Sequence, residues 1–103
     1  MYRMTVTYHH PADPEEFLRH YREVHAPLAA KLPGLRAYEW AVAESPDGSR
    51  PRHFMVATLD WDTKEEALAA FASPEGEAGT ADMANFTTPD GFELVLGEVT
   101  KTV

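Results

Sequence analysis

Apolar and polar residues alternate from the second position onward. Tyr2, Met4, Val6 and Tyr8 interleave with Arg3, Thr5, Thr7 and His9, the period of a strand with one buried face. His10-Pro11-Ala12 ends that strand. Asp13 then reads as a helix N-cap, with Pro14 at the first helical position and Glu15-Glu16 in the first turn, where the helix dipole favours negative charge. Phe17, Tyr21, Val24, Leu28 and Leu32 recur at ~100° per residue and predict the buried face of this helix. Pro33-Gly34 stops it.

A second strand is expected over Leu35–Ala43, with Tyr38, Trp40 and Val42 on one side. Ser45-Pro46-Asp47-Gly48-Ser49 is a turn, and His53–Trp61 is the returning arm of a hairpin. Thr63-Lys64-Glu65-Glu66 matches a capping box and opens a helix through Ala67, Leu68 and Phe71. Ser73-Pro74-Glu75 starts another helical stretch, weakened by Gly76 and Gly79. Pro89-Asp90-Gly91 turns the chain into a last strand, Phe92–Thr102.

The order β-α-β-β-α-β predicts an α+β, ferredoxin-like domain over residues 1–103: a four-stranded antiparallel sheet with its helices on one face. Apolar side chains fall on both faces. Tyr8, Tyr38, Trp40, Trp61, Phe92 and Leu94 are assigned to one, and Ala37, Ala41, Phe54, Val56, Val95 and Val99 to the other. Helices cover only one face, so the second is expected to pair with another copy of the chain, giving a homodimer. A monomer with scattered surface apolar groups is the competing reading.

Composition narrows the chemistry. The chain has 103 residues, 17 acidic and 9 basic, for a net charge of −8. That balance argues against nucleic acid and against an anionic membrane surface. All of the excess negative charge lies in residues 53–103, and it reads as a solvated acidic face. No apolar run approaches ~18 residues, so no membrane span is expected. The strand-like start is read as leaving no room for a signal peptide, which suggests a cytoplasmic protein. Without cysteine there are no disulfides, thiol catalysis, iron–sulfur clusters or cysteine-ligated zinc.

His25, in Tyr21-Arg22-Glu23-Val24-His25-Ala26-Pro27-Leu28, is the first candidate for chemistry. Pro27 removes a ladder bond, frees the Glu23 carbonyl and is expected to bend the helix. The helical period puts His25 about 80° from Phe17, at the edge of the buried stripe. An imidazole there suits acid/base work or ligand binding near neutral pH. It equally suits a structural bond to the freed carbonyl. Tyr8, Tyr38, Trp40 and Trp61 are apolar bodies with polar tips, suited to line a pocket for a flat organic ligand or to fill a core. Tyr21 and Tyr38 are the two placed nearest His25. His9 and His10 point to opposite faces of a strand end, and His53 starts a strand. His20 and His25 diverge by about 140° on a regular helix, so one metal is not expected between them. There is no His-Glu-x-x-His, no His-x-His and no glycine-rich phosphate loop, so neither a metal nor a nucleotide is predicted. A single histidine is a weak signal for haem. Ser45, Ser49 and Ser73 lie in turns without an evident histidine and acid, which argues against a hydrolase triad.

The stretch Phe17–Tyr38, with Tyr21, His25-Ala26-Pro27-Leu28 and Pro33-Gly34-Leu35-Arg36-Ala37-Tyr38, resembles the EthD family. That family is named for a protein associated with ethyl tert-butyl ether degradation. The likeness is best over residues 2–45 and looser beyond. It implies a dimeric α+β barrel, in which two such sheets pack together, and a small-molecule pocket between sheet and helices. Relatives on this barrel include cofactor-independent monooxygenases, polyketide cyclases, lactone isomerases and haem enzymes, and the family itself often carries a generic oxidoreductase label. His25 matches the family histidine and Tyr38 its downstream tyrosine. These become the expected catalytic pair, with Tyr8, Tyr21, Trp40 and Trp61 as substrate-binding residues and no cofactor. Three functions compete: an enzyme acting on a hydrophobic aromatic or lactone-like metabolite, a non-catalytic accessory protein serving a partner oxidoreductase, and a structural dimer without a ligand.

Overall fold

The computed structural model of the protein describes residues 1–103. Strands β1 (Tyr2–Tyr8), β2 (Ala37–Val42), β3 (Met55–Trp61) and β4 (Phe92–Glu98) form one sheet in the order β2-β3-β1-β4. Every neighbouring pair is antiparallel. This is the ferredoxin-like topology. The strands are shorter than the apolar patterning suggested, because pairing stops at Val42 and Glu98 and starts only at Met55.

Register fixes the faces. Tyr2 pairs with Trp61, Met4 with Leu59, Val6 with Ala57 and Tyr8 with Met55, and all eight are buried beneath the helices. Tyr38 and Trp40 join that face through Leu59 and Ala57, and Phe92 and Leu94 join it through Tyr8 and Val6. The outer face is less apolar than expected. Arg3 grips Asp60 through two hydrogen bonds of 2.8 and 3.0 Å, and Thr5, Thr7 and Thr58 lie among Ala41, Val56 and Val95. Phe54 departs from its assignment to that face. It precedes the regular strand, and its ring meets Phe17 edge-on at 5.4 Å inside the helix-side core.

The caps form as the sequence chemistry dictates. Asp13 accepts from the Glu16 N–H at the start of α1 (Pro14–His20), and Thr63 accepts from the Glu66 N–H at the start of α3 (Lys64–Ala72). Ser73 does the same for α4 (Pro74–Met83), accepting from the Gly76 N–H. The first helical run ends earlier than the Pro33-Gly34 stop, at Ala29 with Ala30 as its C-cap. Gly34 lies in the turn that follows with φ +73°, a backbone state open to glycine at no steric cost. On α3, Ala67 and Ala70 are buried and Leu68 is exposed.

The first helix is where the structure differs most from its pattern. Residues Tyr21–His25 form a π-helical turn between α1 and α2 (Ala26–Ala29), in which the Ala26 N–H donates to the Tyr21 carbonyl, five residues back. A wide turn opens the helix just where the Pro27 ring would crowd the Glu23 carbonyl. It also inserts one residue, turning the following side chains back by about 100°. Hence Val24 is exposed and Leu28 only half-buried, while His25 and Ala29 take their places inside. No helix is long and apolar enough to cross a membrane.

Candidate functional site

His25 is buried, not at the edge of the stripe, and its Nδ1 lies 3.0 Å from Oδ2 of Asp82 on α4. His20 reaches the same carboxylate, with Nε2 at 3.0 and 3.1 Å from its two oxygens. The expected divergence of the two histidines is thus overturned. In a π turn residues five apart come close to one face, so both imidazoles converge on one acid. Asn85 completes the shell by donating from Nδ2 to Oδ1 at 2.9 Å. Phe86 lies against both rings, with centroids 5.4 Å from His20 and 4.7 Å from His25.

The charge state follows from these contacts. Burial alone pushes the Asp82 carboxyl upward, but the hydrogen bonds from Asn85, His20 and His25 together outweigh it and hold the group below its ordinary value. Asp82 is therefore an anion that only accepts, and each histidine must present an N–H to it. For His25 that places the proton on Nδ1 and the lone pair on Nε2. Burial also pushes the His25 imidazole below its ordinary value, and the bond and charge of Asp82 offset only part of this. At neutral pH the ring is neutral, with a free lone pair. Nε2 has no hydrogen-bond partner in the protein and is not sealed away, and the ring lines a cavity.

That cavity has a volume of about 200 Å³ and lies between the sheet and the helices. Its wall is apolar for the most part: Met4, Val6, Ala57 and Leu59 from the sheet, Ala29 and Leu32 from the helical layer, and Phe71 and Met83 from α3 and α4. It reaches the exposed Leu94 and Thr80, so it opens between β4 and α4. Gly79 lines it too, and a Cβ placed there would meet nothing within 4 Å. An apolar cavity of roughly 150 Å³ accepts a benzene ring, so this one takes a ligand of one ring or slightly more.

Polar groups in the wall are few. The Tyr21 and Tyr38 hydroxyls share a hydrogen bond of 2.6 Å, and the Tyr8 ring stands edge-on to Tyr21 at 5.7 Å. Burial raises all three phenols above their ordinary value, so they stay protonated and act as neutral donors. Of the residues named from sequence, Tyr8, Tyr21, His25 and Tyr38 all line this one cavity. Trp40 and Trp61 do not. Trp40 packs edge-on to Tyr21 beneath the Arg22 guanidinium, whereas Trp61 is sealed in the core against Phe71 with its N–H donated to the Pro33 carbonyl. Sequence reasoning missed Asp82, Asn85 and Phe86. The one available signal was an acid, Asp82, set between small and apolar neighbours in a helix of weak pattern.

The EthD domain profile matches residues 9–90 of this sequence. The chain belongs to the EthD family. It is 43% identical over 100 residues to an uncharacterized 11.0 kDa protein from the thcB-thcC intergenic region of Rhodococcus erythropolis, with 97% of each protein covered. The crystal structure of an EthD family protein from Bacillus halodurans superposes with a TM-score of 0.89 at 30% identity, covering 97% of this chain and 99% of that one. The cofactor-independent oxygenase SnoaB from Streptomyces nogalater shares the fold, with a TM-score of 0.64 at 20% identity over 99% of this chain and 93% of that one. In this EthD domain the matched region contains His25, Tyr38 and Asp82 together.

Proposed function

We propose that this protein binds a hydrophobic metabolite of about one ring in the cavity and removes a proton from it, without a tightly held cofactor. The observation that carries the reading is His25 in the wall of an apolar cavity with its Nε2 unbonded while Asp82 holds Nδ1. His25 is the general base. Nε2 takes a proton from an acidic C–H or O–H of an aromatic or lactone-like substrate, and the imidazolium so formed is stabilised by the Asp82 carboxylate. The substrate anion is stabilised by a phenol donor, with Tyr38 assigned that part and Tyr21 its hydrogen-bonded support. Reprotonation at another atom by the imidazolium gives isomerisation. Attack of the anion on a carbonyl carbon of the same molecule, with the imidazolium proton passing to the new alkoxide, gives ring closure. Addition of the anion to dioxygen, with dioxygen as the oxidant and the imidazolium proton passing to the new peroxide oxygen, gives an oxygenation, and SnoaB is a cofactor-independent oxygenase.

We place the activity in a cytoplasmic homodimer paired through the outer sheet face. Val95, 65% exposed, with Val56 and Ala41 on the same outer face, supports that pairing. Light scattering at micromolar concentration tests it, and a clean 11.5 kDa species is the result that overturns it.

A panel of small aromatic ketones, phenols and lactones, screened by ligand-observed NMR, tests the function. For each binder, solvent deuterium incorporation is followed with wild type and with His25→Gln. Binding with exchange that is lost in His25→Gln is expected. Exchange that survives in that variant removes His25 from the role of base. Binding without any exchange or turnover makes the protein a carrier for a partner oxidoreductase.

A further inference from the structure

A second cluster of chemistry-bearing side chains lies on the opposite face of the sheet from the cavity. Because β1 runs antiparallel to both β3 and β4, its end lies beside the starts of the other two. His9 follows β1, His53 precedes β3, and Glu93 is the second residue of β4. Backbone bonds from the His9 N–H to the Gly91 carbonyl and from the Phe54 N–H to the Tyr8 carbonyl hold the three segments in step. Tyr8 and Phe92 point to the helices, so by strand alternation His9 and Glu93 point the other way.

The three side chains converge. One ligating atom from each of His9, His53 and Glu93 lies within 4.8 Å of the others. His9 Nε2 and Glu93 Oε1 are 3.5 Å apart, and the two imidazole centroids are 5.7 Å apart. Ligand atoms on a tetrahedral zinc ion, each ~2.0–2.1 Å from the metal, stand ~3.4 Å from one another. The pocket therefore needs only small side-chain adjustments to close on an ion. The His53 ring has no hydrogen bond of any kind, and its Nε2 is buried without a partner, the only such side-chain atom in the protein. A buried imidazole nitrogen with nothing to bind is costly, and a metal is one group that would use the ring. Two imidazoles and one carboxylate form a donor set for zinc and related divalent transition ions, and magnesium and calcium prefer oxygen alone.

We propose that His9, His53 and Glu93 bind one divalent transition metal ion of the zinc type, with a fourth position left open to water. In the single chain the exposure of Glu93 and the partial exposure of His9 give the ion a path from solvent, and both residues lie at one end of the outer sheet face proposed above for dimer pairing. No spacing motif announces the site, because its ligands are 44 and 40 residues apart along the chain and meet only through the sheet.

Tag-free, chelator-treated protein titrated with Zn²⁺ alone, by calorimetry, tests the proposal. One ion per chain is expected. His53→Ala and Glu93→Gln are each expected to weaken binding on the order of 10-fold to 100-fold, while His10→Ala leaves it unchanged. His10 serves as the control because its ring is already engaged by the Pro51 carbonyl. Histidine ring NMR of the wild-type protein keeps the test independent of variant folding. The His9 and His53 signals are expected to move with the first equivalent of Zn²⁺, with those of His20 and His25 unmoved. Absence of saturable binding at one equivalent overturns the proposal, as does a first equivalent that moves His20 and His25 instead.

Discussion

His25 and Asp82 are 57 residues apart in sequence and 3.0 Å apart in space, joined from Nδ1 to Oδ2 within the core. This one contact fixes the tautomer of the imidazole and so decides which nitrogen is free for chemistry. Asp82→Asn keeps the size of the side chain but offers one acceptor oxygen where two histidines require acceptors. At least one imidazole then meets an amide donor and must move its proton to the other nitrogen. The variant is expected to lose about 1–3 kcal/mol of stability from imperfectly paired buried groups. Turnover is expected to fall on the order of 10²–10⁴-fold with little change in ligand affinity. Urea midpoints, kcat/KM and nitrogen-15 shifts of the His25 ring measure the three effects, and unchanged turnover would remove Asp82 from the mechanism.

Acid is expected to weaken the fold in two stages. Burial holds His25 below its ordinary value of 6.5. As pH falls through 6.5 the unfolded chain takes up a proton here before the folded one does, so the stability owed to neutral His25 is complete above 6.5 and declines on acidification. Asp82 acts in the same direction lower down. Its carboxyl sits below 3.8 in the fold, so its contribution is present above 3.8 and is lost as pH falls through the folded value. His25 faces Asp82 from α4, His20 from α1, and Tyr21 from its own π turn, and the raised phenol of Tyr21 carries no charge in this range. Urea midpoints of wild type should fall between about pH 7 and pH 5, and His25→Gln should flatten that decline. A wild-type curve that rises on acidification would contradict the neutral assignment.

Much of the fold was legible because short-range chemistry sets it. Period-two alternation in Tyr2–Tyr8, the caps at Asp13, Thr63 and Ser73, and the turn at Gly34 need no distant partner. The site was legible in part. Tyr8, Tyr21, His25 and Tyr38 were readable as polar groups beside an apolar stripe, with the family motif supporting His25 and Tyr38. Asp82 was not, since nothing near it in sequence signals that two imidazoles 57 and 62 residues away will claim its carboxylate. The π turn was hidden for a related reason. Pro27 announces a disturbed helix but not its form, and an inserted residue moved His25 from the stripe's edge to its centre.

The two glycines of α4 are expected to respond oppositely to alanine. A Cβ on Gly76 would overlap the backbone carbonyls of Ala70 and Phe71, so Gly76→Ala should cost about 1–3 kcal/mol by overpacking. A Cβ on Gly79, a residue that lines the cavity, enters open space. Gly79→Ala should therefore raise stability by up to about 1 kcal/mol through helix propensity, and Gly79→Leu should block the ligand while the protein stays folded. Denaturant melts paired with ligand titration read both effects. Ligand affinity untouched by Gly79→Leu would show that the ligand lies elsewhere.

Pro27→Ala tests what holds the π turn in place. The substitution restores one backbone donor, and a gained ladder bond is worth about 0.5–1.5 kcal/mol. Straightening the helix into a continuous α form would remove the inserted residue's twist, turning either Phe17 and Tyr21 or His25, Ala29 and Leu32 out of the core by about 100°. Exposing a side chain such as Phe17 alone costs roughly 1.5–3 kcal/mol. Packing therefore outweighs the bond, and the π turn is expected to persist in the variant. Stability should change by less than about 1 kcal/mol, and the nitrogen-15 signature of His25 bonded to Asp82 should remain. A variant in which that signature disappears while the sheet stays folded would show that the proline, and not the packing on either side of it, positions the imidazole.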